Sequence, residues 1–366
     1  MRISPRAIFW VALLSAALLI VGCQQLTGED SSQSSPQSSQ EATSSWTPLN
    51  GAIDVSRATR TTPFESDEPR RQNMTALRID LRSDIGFTTS ERTQLPALTG
   101  QQYATTSSQT VTDFINSDSR ILLGVNANFF WPCCSTAGDT PAAESVLGLY
   151  VNDGKILSSY GNPAADGTST NVPNSRYTSP VTLVITKDNT ASIQIATNKK
   201  PLNADRFPTS DIQVALAGGP NPPGGYPPIK PSKAPDGSTY PNFLLRSGRI
   251  QPAPDSNIGA RTAVGLSRDK STLLIVTVDG AADQSPPLGA SFNDLAHWLK
   301  VAGAHTAFAL DGGGSTQLGM RIDGQKPQPA QCPPRAGVLL LNVPHGDDKT
   351  ACLQRLGGAF FGVTSP

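Results

Sequence analysis

Asp279 and Asp311 are the side chains that the sequence places best for proton chemistry. Each closes an apolar run rich in Val, Ile, Leu, Thr and Phe, Thr272–Val278 and Thr306–Leu310. Each also opens a glycine-bearing turn, Asp279-Gly280 and Asp311-Gly312-Gly313-Gly314. A carboxyl group in that setting has a fixed strand behind it and small residues in front, so a ligand can approach the main chain closely. Two such groups on one edge of a fold make a candidate active site for acid and base catalysis.

The elements that must hold them can be read from the stretch between. Ser291 followed three residues later by Asp294 is the pattern of a capping box. Leu295, Trp298, Leu299 and Ala302 recur at helical spacing, and Gly303 stands where a C-terminal cap belongs. Strand, helix and strand over this span have the size of a βαβ crossover, which predicts two parallel strands over 272–310. Both aspartates would then lie just past the carboxyl ends of their strands, the edge at which such sheets bind ligands.

Other elements are legible more briefly. Thr75–Leu81 alternates as a half-buried strand, and Val111, Phe114 and Ile115 mark a short helix before a buried strand at Arg120–Val125. That strand runs into Asn126-Ala127-Asn128-Phe129-Phe130-Trp131, where two amides could read sugar hydroxyls and three rings could face a sugar or fill the core. Two hairpins are expected, one turning at Asn152-Asp153-Gly154 and one at Lys187-Asp188-Asn189. From Gly218 to Pro241 the chain is rich in Pro and Gly, which suits a lid or rim over the site. Gly337–Val343 reads as one more buried strand. The fold class expected is α+β or mixed α/β: a single domain with mixed β-sheets, few helices, long Pro/Gly-rich loops and the crossover unit at 272–310.

The N-terminus carries a different message. Arg2 and Arg6 precede an apolar run, Ala7–Val21, and Ile20-Val21-Gly22-Cys23 resembles a bacterial lipobox, so residues 1–23 read as a lipoprotein signal with Cys23 as the lipidated residue. Residues 24–50 are dominated by Ser, Gln, Glu and Pro and read as a disordered tether; residues 51–366 remain for one catalytic domain. The expected location is the bacterial cell envelope, outside the cytoplasm and held to the membrane by the lipid. Four cysteines are left, Cys133, Cys134, Cys332 and Cys352, an even number in an oxidising compartment. Three pairings are open. The favoured one has Cys133 and Cys134 each bridging to the Cys332/Cys352 region, because a bond between adjacent cysteines is strained. With 29 basic and 29 acidic residues and no basic run, the chain has no field to gather nucleic acid. Nothing in the sequence calls for a metal or another cofactor.

Six short motifs occur in a fixed order: Asn126–Phe130, Ala217-Gly218-Gly219-Pro220, Arg261-Thr262-Ala263-Val264-Gly265, Val278-Asp279-Gly280, Asp294-Leu295-Ala296 and Leu310–Ser315. Together they resemble the phosphodiester glycosidase family, over about Thr75 to Val343. The resemblance implies hydrolysis of a sugar joined through its anomeric carbon to a phosphodiester. Two departures stand out: Asn126-Ala127-Asn128 replaces the family's usual Asn-Gly-Gly, and Asp294 stands where relatives commonly have Glu, so a capping role explains Asp294. On this resemblance Asp311 and Asp279 would be catalytic. Arg261 would hold phosphate oxygens bidentately, and the backbone of Gly312, Gly313, Gly314 and Ser315 would form an anion-binding concavity. Ser315 and Thr316 would add hydroxyls, with Asn126 and Asn128 reading the sugar. Two alternatives remain: a non-catalytic envelope lipoprotein that binds sugar, and a serine hydrolase using Ser315. The second lacks a Gly-x-Ser-x-Gly elbow, and its nearest histidine, His305, precedes its strand.

Overall fold

The computed structural model describes residues 45–65, 68–91, 106–131, 135–136, 143–158, 181–196, 208–219, 243–252, 257–281, 283–322, 331–346 and 350–366. The expected signal segment, Cys23, Cys133, Cys134 and most of the Pro/Gly-rich stretch lie outside these residues. The chain opens with β1 (Thr47–Asn50), β2 (Ile53–Arg60), β3 (Gln72–Asp80) and β4 (Gly86–Thr89), followed by α1 (Val111–Ser117) and β5 (Ile121–Asn126). Next come β6 (Tyr150–Asn152), β7 (Lys155–Ser158), β8 (Val181–Thr186), β9 (Ala191–Ile195), β10 (Ile212–Gly218), β11 (Leu245–Arg246) and β12 (Arg249–Ile250). The stretch bearing the two aspartates is β13 (Arg261–Leu266), β14 (Thr272–Val278), α2 (Phe292–Ala302) and β15 (Thr306–Ala309). The fold closes with β16 (Leu318–Arg321), β17 (Val338–Leu340) and β18 (Phe360–Thr364).

These strands form an eight-stranded sheet in the order β1-β2-β3-β14-β13-β15-β11-β12 and two five-stranded sheets, β7-β6-β10-β8-β9 and β17-β16-β5-β18-β4. Among the described residues every ladder between named strands is antiparallel. The described residues are therefore mostly β with two α-helices among them, and the expectation of mixed sheets is corrected. The crossover unit is corrected in one respect as well. β14 and β15 run in the same direction, since each is antiparallel to β13, but β13 lies between them. A local cause is visible: β13 and β14 are joined by the tight turn Ser267–Ser271, in which Asp269 accepts hydrogen bonds from the hydroxyls of Ser267 and Ser271. That hairpin claims the edge of β14 which a neighbouring parallel strand would need. A smaller correction concerns the tether, whose last four residues are β1, paired with β2.

One core joins the three sheets. Val55, Leu77, Ile275 and Val264 of the large sheet pack with Leu183 and Leu216 of the second and with Val125, Phe361 and Val363 of the third. α2 covers the opposite face of the large sheet, burying Leu295, Trp298 and Leu299 against Leu274, Val276 and Ala309. Its start and end are as the sequence predicts: Ser291 and Asp294 cap each other reciprocally, and Gly303 ends it in the left-handed region with φ 102°. Asp294 also meets Arg70 at 2.7 Å. α1 lies on the outer face of the third sheet, where a cross-strand row of three glycines, Gly319, Gly124 and Gly362, lets it come close. A Cβ on Gly124 would sit 2.9 Å from Ile115 Cγ1. At the C-terminal end Cys332 is disulfide-bonded to Cys352, with their Cα atoms 5.5 Å apart. This overturns the pairing favoured from the sequence, since neither cysteine is left for Cys133 or Cys134. Closing a loop of that size is worth about 3 kcal/mol in chain-entropy terms.

Candidate active site

Asp279 is the first residue after β14, and its backbone N–H donates to Asn73 O at 3.0 Å, which extends the ladder with β3 by one step. Along β14 the odd-numbered positions Leu273 and Ile275 face the shared core, so Asp279 points to that inner face. There it is 4% exposed. Its Oδ1 accepts from Val343 N at 2.9 Å and from Asn342 Nδ2 at 3.3 Å. Burial pushes its pKa up to about 7, against the lowering pull of those donors, of the Arg57 charge and of Asn73.

Asp311 is held by a different set of contacts. Its N–H donates to Ala127 O at 3.0 Å, and its own carbonyl accepts from Asn126 Nδ2 at 2.7 Å. Its Oδ1 accepts from Gly312 N at 2.9 Å, closing a local turn. The residue as a whole is half-buried. Burial of the carboxyl raises its pKa to about 6, opposed by a hydrogen bond from Ser315, the charge of Arg355 and the Gly312 N–H. Gly313–Ser315 form a single 3-10 turn that curls back over the start of β13, with Gly313 N bonded to Ala260 O at 2.8 Å. Arg355 Nη1 donates to Ser315 Oγ at 3.0 Å, and the guanidinium packs against Gly314 so closely that a Cβ there would lie 2.6 Å from Nη2.

The two turns meet on one amide. Asn342 Nδ2 reaches both Asp279 Oδ1 and, at 3.2 Å, Thr316 O, while Asn342 Oδ1 accepts from Leu318 N at 2.7 Å. Across the double strand spacing set by β13, the backbones of Asp279 and Asp311 stand about 10 Å apart. The sequence expectation that both lie on one sheet edge therefore holds, although the strands are not neighbours.

Asn126 and Asn128 occupy positions different from the open wall expected of them. Asn126 Oδ1 accepts from Thr262 Oγ1 at 2.8 Å and Gln317 N at 3.1 Å, and its Nδ2 holds the Asp311 carbonyl. Asn128 Nδ2 donates to Leu147 O and Leu149 O, and its Oδ1 accepts from Ala217 N at 3.0 Å. Both are buried, as are Phe129 and Phe130. The amides staple the three sheets together beneath the aspartates. Gly218 completes that junction: Gly219 N bonds Ala309 O at 2.8 Å, and a Cβ on Gly218 would fall 2.3 Å from the same oxygen. Thr316 is buried, with its hydroxyl 3.3 Å from that of Thr262.

Arg261 faces the other side of the sheet. Ala263, two residues along β13, packs on α2, and Arg261 shares that face. Its guanidinium lies 4.1 Å over the Phe292 ring, with Nε bonded to Ala290 O and Nη2 to Asn257 O at 2.6 Å. The arginines near the aspartate carboxyls are instead Arg355 and Arg57, neither of them in a sequence motif. A serine-hydrolase arrangement is not assembled either: Ser315 Oγ is bonded to Arg355 and Asp311, whereas His305 begins the β15 end remote from Asp311 and His345 Nδ1 contacts Val343 O. What the site offers chemically is two carboxyl groups with pKa values raised by burial, two cations and a glycine-lined turn.

Several solved structures are similar to this one, and the first of them shares its fold. The catalytic domain of zebrafish N-acetylglucosamine-1-phosphodiester alpha-N-acetylglucosaminidase, auto-inhibited by its pro-peptide, superimposes with a TM-score of 0.54 at 18% identity, over 88% of this chain and 87% of that one. A hypothetical protein from Synechocystis gives a TM-score of 0.45 at 15% identity over 88% and 64% of the two chains. A putative exported protein from Burkholderia pseudomallei K96243 gives 0.45 at 13% over 83% and 76%. No curated protein sequence matches the chain. The sequence profile for phosphodiester glycosidases, however, matches residues 119–351, which include both aspartate turns and the strands that carry them. With that match spanning most of the folded chain, the protein belongs to the phosphodiester glycosidase family.

Proposed function

We propose that this protein hydrolyses the bond between a sugar's anomeric carbon and the oxygen of a phosphodiester. The observation that carries this reading is the pair of carboxyl groups, Asp311 and Asp279, held at the ends of two strands on one edge of a family member's central sheet, each with its pKa raised by burial. Burial raises both groups toward neutral pH, where one can act as the acid and the other as the base, the division of labour that glycosidic cleavage requires. In this scheme Asp279 gives its proton to the departing phosphate oxygen as the C1–O bond breaks. Asp311 supports the developing positive charge at C1 and takes the proton of the water whose oxygen bonds to C1. The Gly312–Ser315 turn and Arg355 line the same place. Asn126 acts by holding the Asp311 carbonyl, Asn128 by tying Leu147, Leu149 and Ala217 together, and Arg261 by fixing the turn at the N-terminus of α2.

The decisive experiment is incubation of the purified protein with a panel of α- and β-linked sugar-1-phosphodiesters, following release of free sugar. Turnover of at least one member is expected. Tight binding across the panel without any release would favour instead a sugar-binding envelope protein. We also propose that Cys23 carries a lipid that tethers the domain in the bacterial envelope, a reading supported by the Ile20-Val21-Gly22-Cys23 sequence after an apolar run. Metabolic labelling with a lipid precursor should tag the wild-type protein and not Cys23→Ala; labelling of both would refute the anchor.

A further inference from the structure

The inner face of the large sheet changes character in its last two rows, the second of which holds Asp279. Val55, Leu77, Ile275 and Val264 form an apolar row in the shared core. The next row on that face is Arg57, Thr75, Thr277 and Thr262, and the one beyond it includes Thr59, Asn73 and Asp279. The threonine hydroxyls are taken up internally: Thr75 donates to Leu341 O, Thr277 to Thr75 O and Thr262 to Asn126 Oδ1. Arg57 is the exception. The residue is exposed at the sheet margin although its guanidinium is partly desolvated, and among the described residues no hydrogen bond or ion pair holds that group. The nearby arginines are engaged: Arg60 lies over Phe64, Arg70 meets Asp294, Arg71 meets Gln284, and Arg261 is tied to two carbonyls. The charge that Arg57 does feel is that of Asp279, on the same face two strands away.

We propose that Arg57 is the residue that binds the phosphate of the substrate, beside Asp279, and so sets the preference for phosphodiesters. This rests on the reaction proposed above and assigns the leaving-group subsite within it. A guanidinium with unbonded donors matches two phosphate oxygens bidentately. Arg57 shares a face with the proton donor, two strands and one row away, so a phosphate held by Arg57 can turn one of its oxygens toward Asp279. As C1–O cleavage proceeds, negative charge grows on the phosphate that Arg57 already holds, so the contact strengthens toward the transition state. Arg57 lies outside residues 119–351, so this contribution comes from a strand that the family match does not reach.

The test compares wild type, Arg57→Ala and Arg57→Lys on two substrates with the same sugar, a sugar-1-phosphodiester and its neutral aryl glycoside. Calorimetric binding of the corresponding sugar-1-phosphate is measured in parallel. Loss of a charged bidentate contact should lower kcat/KM for the phosphodiester by roughly 10–100-fold and weaken sugar-1-phosphate binding to match. Arg57→Lys should recover part of each, and cleavage of the aryl glycoside should fall far less than that of the phosphodiester. If wild type cleaves nothing yet Arg57→Ala loses sugar-1-phosphate binding, the subsite stands and the reaction class falls. If wild type is active and Arg57→Ala changes neither quantity, or lowers both substrates equally, the subsite is wrong and the reaction class survives. A wild type that neither cleaves nor binds would overturn both.

Discussion

Asp279 and Asp311 are the same residue type on the same sheet edge, and their surroundings separate them. Asp279 is enclosed on the inner face and Asp311 closes a turn facing Arg355 and Ser315, which leaves their pKa values raised to about 7 and about 6. If Asp311 acts ionised and Asp279 protonated, kcat/KM should peak between those values. It should fall on the acid side as Asp311 gains a proton and on the alkaline side as the pair loses its second one. Asp311→Asn keeps the shape of the turn, including an oxygen for the Gly312 N–H, while removing the base. Turnover should drop by about 10²–10⁴-fold with substrate affinity changing far less. Near-normal steady-state turnover of that variant on the best substrate would make the turn structural. The aspartates themselves were legible in the sequence because an apolar run ending in Asp-Gly marks a strand end. Arg355 and Arg57 were not: neither sits in a motif, and what brings them to the site is sheet pairing across many residues. Asn126 and Asn128 were read as presenting their amides to a ligand because sequence cannot tell which carbonyls a side chain will meet. Here they meet those of Asp311, Leu147 and Leu149.

Elements explain why the site needs three sheets. β10 ends at Gly218, directly against the end of β15, and the absence of a side chain lets Gly219 N bond Ala309 O two residues before Asp311. Gly218→Ala should push these strands apart. We expect a loss of a few kcal/mol in unfolding free energy, as for overpacking, and a fall in kcat exceeding any rise in KM. Denaturant unfolding and steady-state kinetics on the same preparation would check this, and an unchanged kcat would separate the junction from the site. The elements were largely legible where signals are local. The capping box and Gly303 bound α2, and the turn at Asp153 and Gly154, with φ 43° and 74°, joins β6 to β7 as an Asp-Gly hairpin should. The insertion of β13 between β14 and β15 was not legible. Two strands can share a direction without sharing hydrogen bonds, and the local β13–β14 hairpin outcompetes the longer crossover.

At the scale of the whole molecule, a carboxyl group buried in the shared interior is a stability cost that function explains. The folded-state pKa of Asp279, about 7, lies above its ordinary value of 3.8, so the native state binds more protons than the unfolded chain between those pH values. Stability on account of this group is therefore greatest below about pH 4, declines as pH rises toward 7 and is flat above. The raised value means that the hydrogen bonds from Val343 and Asn342 do not offset the cost of burying the charge. Asp279→Asn preserves an acceptor for both donors and removes the charge. The variant should lose most of its activity, yet unfold at a higher temperature than wild type at pH 8. The advantage has a ceiling of about 4 kcal/mol and should shrink toward zero near pH 4. Melting curves of the two proteins across that pH range are the measurement. A wild type at least as stable as the variant at pH 8 would mean that Asp279 is charged and well solvated by its partners, which would remove it as the proton donor.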